Sequence, residues 1–401
     1  DNSAGVDCSD HEVNIKILLN EVQRAGKLTD GRRNKLLESM TDDVAHLVLE
    51  NNYNQVQAIG LAYSQMHLRH REHAGLINYL EEHAGLDRGL EFLPRNERLE
   101  ERAAKQQHLT RPELAILTSY MKMHLKAKLA TVDYLDDDHL LPYLYSAFPG
   151  KLLSRYREAM HDHPLRRRII ATQLANSVVN LLGPSFIYRM VDSTACAIAD
   201  VVKATVIVRE VFRVDELWQQ VEDLDYQVDA ALQADMMTGL IRHIRQVTRW
   251  FLRNRRSRLS FEAEVKFFRD RITRFRQMLP ASLPPEFSSM FEDRQKRLVD
   301  GGVPAKLARE ICRFDFLLPA TSFIEVSHST GEKLGNVVDI YYAIGEELQL
   351  NWLAKTIDQL PVANYWQARA RETYLDDLAW QQRALTNNIV KSSSGLGSTE
   401  R

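Results

Sequence analysis

Apolar residues recur at spacings of three and four along nearly the whole chain, and alternating runs are rare. That is the helical period, so the sequence predicts an all-α, multi-helix, bundle-like assembly with no dinucleotide-binding sheet. No proline stands between Pro184 and Pro280. Helices in that span can run long without losing a backbone hydrogen bond.

Local signals place several helix ends. Glu12 to Arg24 puts Val13, Ile17 and Val22 near one face, widened by Ile15, Leu18 and Leu19, and Gly26 is a stop. Thr41 is a candidate N-cap, with Asp42 and Asp43 in the turn after it. Thr110-Arg111-Pro112-Glu113 is a stronger start. The Thr hydroxyl can accept from the amide three residues on, Glu113 can reach back, and Pro112 costs nothing in a first turn. Phe261 to Phe275, with Val265, Phe268 and Ile272, reads as a packing stripe.

Composition narrows the function classes. Net charge is -2, so no global field draws the chain to nucleic acid or an anionic membrane. No apolar run reaches membrane-spanning length. Cys8, Cys196 and Cys312 are odd in number and far apart, which argues against a disulfide framework or a zinc knuckle and suits a reducing cytoplasm. The first residues carry no initiator Met, basic n-region or apolar h-region, and read as internal to a longer polypeptide. Expected segments are 1–25, 26–150 and 151–390, with a soft boundary at Pro149-Gly150 and a frayed tail over 391–401.

Four constellations are candidates for a ligand. His67, His70 and His73 recur every three residues, but six residues carry the third ring too far round for convergence, so a solvated face is favoured over a metal. His161-Asp162-His163 reads as a lead into the next helix. Arg242, Arg245, Arg249, Arg253 and Arg256 share one helical face. The stretch before them, Val214 to Ile241, holds acids and no Lys or Arg. Pairing between two adjacent antiparallel helices, or with another domain, is expected ahead of nucleic acid. Arg166-Arg167-Arg168 reads as a solvated face.

The opening segment is the most informative: Asn2-Ser3-Ala4-Gly5-Val6-Asp7-Cys8-Ser9-Asp10-His11-Glu12. Ser9 to Glu12 has the form of a capping box, which needs no ligand. The segment also resembles the N-A-G-G-V-x-x-S-x-x-E stretch of glutamate dehydrogenases. Asn2, Gly5, Val6, Ser9 and Glu12 are in register, while Ser3 and Ala4 depart from the family's Ala and Gly. The likeness continues toward the large bacterial NAD-dependent class. It runs through His11 to Leu19, Arg33-Asn34-Lys35-Leu36-Leu37, Met40 to Val44, Asn51 to Gln55, Leu109 to Leu114 and Ile170 to Asn176.

The resemblance implies that residues 1–25 close a catalytic domain. Ser9 would contact the side-chain carboxylate of glutamate, and Asn2 would lie near the nicotinamide of NAD. It also implies that the catalytic Lys and Asp lie upstream, so no catalytic residue and no metal ligand is expected here. The parent would convert L-glutamate to 2-oxoglutarate, in the cytoplasm, as a homo-oligomer. The helical region would support the upstream catalytic domain of the same polypeptide or carry subunit contacts, with no nucleic acid and no membrane as partner. The alternative is a helical interaction or regulatory module without part in the chemistry.

Overall fold

The computed structural model describes the backbone of residues 2–362 and 365–393, and their side chains except at 2–4, 67–71, 258, 365 and 393. No strand occurs among the described residues, and the fold is all-α. The chain forms two compact units, Asp1–Val202 and Lys203–Arg401.

The first unit opens with α1 (Asn2–Arg24), α2 (Asp30–Glu38), α3 (Thr41–Ser64), α4 (Met66–Ala84) and α5 (Asn96–Ala104). It continues with α6 (Arg111–Leu129), the short α7 (Leu141–Tyr145), α8 (Gly150–His161), α9 (Arg166–Leu182) and α10 (Phe186–Thr194). The division between the units falls within α11 (Ile198–Phe212). The second unit holds α12 (Val214–Glu222), α13 (Ala230–Asn254), α14 (Phe261–Met278), α15 (Pro285–Asp300) and α16 (Ala305–Asp315). After these come α17 (Ala320–Thr330), α18 (Leu334–Glu347), α19 (Leu350–Asp358) and α20 (Tyr365–Ser393).

The core of the first unit is built around α9, which packs against α3, α6 and α7. Ile170, Ala171, Leu174, Val178 and Val179 of α9 are fully enclosed, as are Leu114, Leu117, Met121 and Leu125 of α6. Each such Leu or Ile contributes about 1.5–3 kcal/mol by leaving water. The start of α6 is the expected capping box. The Glu113 amide donates to Thr110 Oγ1 at 3.4 Å, and the Thr110 amide donates to Glu113 Oε2 at 2.6 Å. Arg102 adds a fork to the same carboxylate, at 2.9 and 3.0 Å.

Other ends match expectation in part. Gly26 does stop α1, with φ +70° and the Lys27 amide bonded back to Val22. Met40, and not Thr41, caps α3; Thr41 is its first helical residue and donates its hydroxyl to the Glu38 carbonyl at 3.1 Å. With Leu36 to Met40 already turning, the Thr hydroxyl finds a carbonyl behind it before an amide ahead. Pro149-Gly150 starts α8 inside the first unit. At the far end, α20 carries Lys391 to Ser393 in helix, and 394–401 lie outside the described residues.

In the second unit α13 packs against α12 and α16, and α14 against α17, which meets α18 and α20. The aromatic stripe is core: Phe261, Phe268, Ile272 and Phe275 are each at most 2% exposed. Part of the arginine row finds its partners on a distant helix of this unit. Arg249 and Arg253 pair with Glu372 and Asp376 of α20. The acidic run is served elsewhere: Asp215 by Arg209, Glu216 by Arg213, and Asp235 by Arg294.

Candidate functional site

The opening motif lies on α1, a helix with two contrasting faces. Asp7, His11, Asn14, Ile15 and Leu18 recur at helical spacing and turn inward. Val6, Ser9, Asp10 and Val13 share the opposite side and are exposed, Val6 at 61% and Val13 at 50%.

Polar contacts on the inward face hold the helix down. The Asp7 carboxylate accepts from the Asn51 side-chain amide of α3. His11, 8% exposed, shares a hydrogen bond between Nδ1 and the Ala147 carbonyl at 2.9 Å. His163, in the turn before α9, accepts the Leu165 amide on Nδ1 at 3.0 Å, which leaves Nε2–H to donate to the Asn14 carbonyl at 3.1 Å. Burial pushes the His163 pKa down, keeping the ring in the neutral state that this pairing needs. Thus α1 is pinned to α3, to Ala147 and to the α8–α9 turn over two helical turns, all from one side.

Ser9 is where the structure departs from the sequence reading. It was expected to open a helix; α1 instead begins at Asn2, so Ser9 sits in the helix interior. The amides from Ser9 onward are spent within the helix, and the positive end of the dipole lies back toward Asn2. Glu12 does not close a box. It pairs with Lys16 at 3.0 Å and accepts from the Cys8 thiol at 3.6 Å. The pairing with Lys16 is what lowers the Glu12 pKa. Ala4 favours the early start: unlike the Gly of the family pattern, it costs nothing in a helix. Asn2 is helical in backbone, but its side chain lies outside the described residues.

The remaining candidates resolve differently. The side chains of His67 and His70 lie outside the described residues, while His73 is buried in α4 at 2% exposure. Among the described residues no three or more His, Cys, Asp or Glu side chains stand together as a metal set. His161 bonds to the Tyr145 hydroxyl at 2.6 Å. Arg167, expected in a solvated face, pairs with Asp136 and donates to the Val132 carbonyl at 2.7 Å.

Lys122 of α6 was not singled out by sequence. Burial pushes its pKa down to about 8, and the Asp7 carboxylate opposes the shift. A lysine amid helix-period apolar residues carries no local mark of such a site.

Two family models match this chain. Residues 106–401 match the family model described as "Glutamate dehydrogenase, C-terminal". Residues 1–62 match that described as "Bacterial NAD-glutamate dehydrogenase, catalytic domain". An NAD-specific glutamate dehydrogenase of Pseudomonas aeruginosa is 45% identical over 98% of this chain and 24% of its own length. That of Halomonas elongata is 40% identical, again over 98% of this chain and 24% of the relative. That of Mycobacterium tuberculosis is 30% identical over 97% of this chain and 24% of the relative. The chain therefore spans about a quarter of the length of these curated relatives. With the C-terminal model covering the greater part of it, the chain belongs to the glutamate dehydrogenase family.

Proposed function

We propose that this chain is part of an NAD-dependent glutamate dehydrogenase, in which the outer face of α1 forms one wall of the substrate pocket. The overall reaction is L-glutamate + NAD⁺ + H₂O giving 2-oxoglutarate + NH₄⁺ + NADH + H⁺. The observation that carries the reading is the two-faced α1. Its inner side is pinned by Asp7, His11 and Asn14, and its outer side leaves Ser9 exposed between Val6 and Val13. Ser9 would donate its hydroxyl to the side-chain carboxylate of glutamate, while Val6 and Val13 would exclude water beside it. Residues 1–25 lie within the span matched by the catalytic-domain model, which supports placing them in that domain.

NAD does not fit the described residues as its holder. Among the described residues there is no strand and so no strand–glycine turn–helix unit; in this reading the dinucleotide and the catalytic Lys and Asp are supplied by an upstream domain of the same polypeptide. This chain contributes positioning and no proton transfer.

The helical remainder acts as scaffold and subunit contact in this reading. Trp352 of α19 and Tyr374 and Trp380 of α20 are each more than half exposed, an aromatic content suited to a homo-oligomeric interface. A cytoplasmic setting belongs to this reading, and the three free cysteines suit its reducing conditions. A regulatory module without part in the chemistry is the second reading. It is favoured by the helix-interior place of Ser9, where no free amide joins the hydroxyl.

Ser9→Ala in the full-length enzyme separates the two. Loss of a hydrogen bond to a charged group corresponds to a rise in glutamate KM of roughly ten- to a hundred-fold, with Tm unchanged. An unchanged KM discards the substrate wall and leaves the regulatory module.

A further inference from the structure

The inner face of α1 carries a polar cluster drawn from four helices. Asn180 of α9 donates its amide to Asn51 Oδ1 at 3.4 Å, and Asn51 of α3 donates in turn to Asp7 of α1. Asn180 is only 9% exposed, and its Oδ1 is buried without a hydrogen-bond partner among the described residues. Lys122 of α6 adds a half-buried cation to the group, close enough for the Asp7 charge to act on it. Around these side chains the same helices are apolar, with Val48, Met121, Leu125, Val178 and Val179 buried.

Such a cluster is a poor way to gain stability. Well-packed apolar residues in its place would be neutral or better, and an unpartnered buried acceptor carries a desolvation cost. What directional bonds supply is a single arrangement. The chain of donation runs from α9 through α3 and ends on a carboxylate of α1, one bond per helix junction. Ser9 follows Asp7 by two residues, about 200° around the helix, so holding Asp7 inward turns Ser9 outward.

We propose that Asp7, Asn51, Asn180 and Lys122 form a positioning cluster that sets the rotation of α1 about its axis, and so the presentation of Ser9 to the dicarboxylate substrate. The proposal rests on the reading of Ser9 as a substrate contact. Asn51 and Lys122 act through α1 and touch no substrate, so the helical region adjusts glutamate affinity from behind the wall.

The test uses the full-length enzyme with Asn51→Leu, which removes both bonds while filling the space, beside Ser9→Ala and the double variant. The expected result for Asn51→Leu is a rise in glutamate KM of about tenfold, with kcat and the KM for NAD within about twofold and Tm held or raised. Because the cluster works through Ser9, the double variant should show no higher KM than Ser9→Ala alone. Lys122→Met should repeat the KM effect and Lys122→Arg should restore it, which keeps the test open if Asn51→Leu does not fold. A KM raised by Ser9→Ala and untouched by Asn51→Leu or Lys122→Met overturns the cluster alone. A KM untouched by Ser9→Ala overturns the substrate wall itself, and the cluster falls with it.

Discussion

Arg249 of α13 donates from Nη2 to the Glu372 carboxylate of α20 at 3.0 Å, across 123 residues of sequence. Its Nη1 lies 3.6 Å from Asp376, which Arg253 also reaches at 2.8 Å. Arg249 is largely enclosed, at 13% side-chain exposure, and the two acids are at 30%. Arg249→Met would remove the guanidinium shared by Glu372 and Asp376 and leave Arg253 on Asp376. Breaking such a pair costs about 2 kcal/mol here, toward the low end for buried pairs because the acids still meet water. Denaturant titration at pH 7 measures it, and a loss under about 0.5 kcal/mol would reduce the pair to a surface contact.

His243 of α13 supplies an acid-sensitive point in the second unit. The ring lies between Phe212 and Phe314, with centroids 4.7 and 4.3 Å away, and its Nε2 has no hydrogen-bond partner among the described residues. Burial, with Arg276 nearby, pushes its pKa down from 6.5 to about 3. Above pH 6.5 neither folded nor unfolded chain carries the proton, and this site's contribution is fully present. Below 6.5 the unfolded chain takes a proton that the folded chain refuses, and stability drains until about pH 3. At pH 5 the loss from this site is about 2 kcal/mol. His243→Leu should keep stability at pH 7 and flatten the fall between pH 7 and pH 5. An identical acid slope in both proteins would show that other groups govern it.

Gly75 of α4 is set by Tyr188. A Cβ built at Gly75 would meet the Tyr188 hydroxyl at 2.3 Å and its ring carbon at 2.9 Å. Alanine would gain about 1 kcal/mol of helix propensity, while overpacking costs about 1–3 kcal/mol. Tyr188 also packs its ring 5.5 Å from Tyr79, which limits how far it can move away. Gly75→Ala should therefore destabilise, and Tyr188→Leu should rescue it in a double-mutant cycle. A Gly75→Ala protein with a raised Tm would show that the tyrosine swings clear.

The all-α class, the box at Thr110 and Glu113, the stop at Gly26 and the aromatic stripe from Phe261 to Phe275 were legible in the order of residues. Each depends on neighbours within a turn or two, where spacing and side-chain type settle the local energy. Ser9 marks where that logic failed. A Ser-x-x-Glu pattern has the same form at a helix start and in a helix interior, and the run from Asn2 chose the interior. Asn2 matches the family register, but its side chain lies outside the described residues.

Residue order was enough to specify which segments coil and which face of each is apolar, because these follow from periodicity and short-range capping; the family was legible as a likeness of motif residues. Which distant groups meet was decided by packing. His163 reaches the Asn14 carbonyl across 149 residues, and Asn180 reaches Asn51 across 129. The arginine row illustrates the same division. Its common face was readable at once, yet the carboxylates that meet Arg249 and Arg253 come from α20, more than a hundred residues on. A charge or amide has no intrinsic preference among many chemically similar partners, and the burial of apolar faces selects the one it meets.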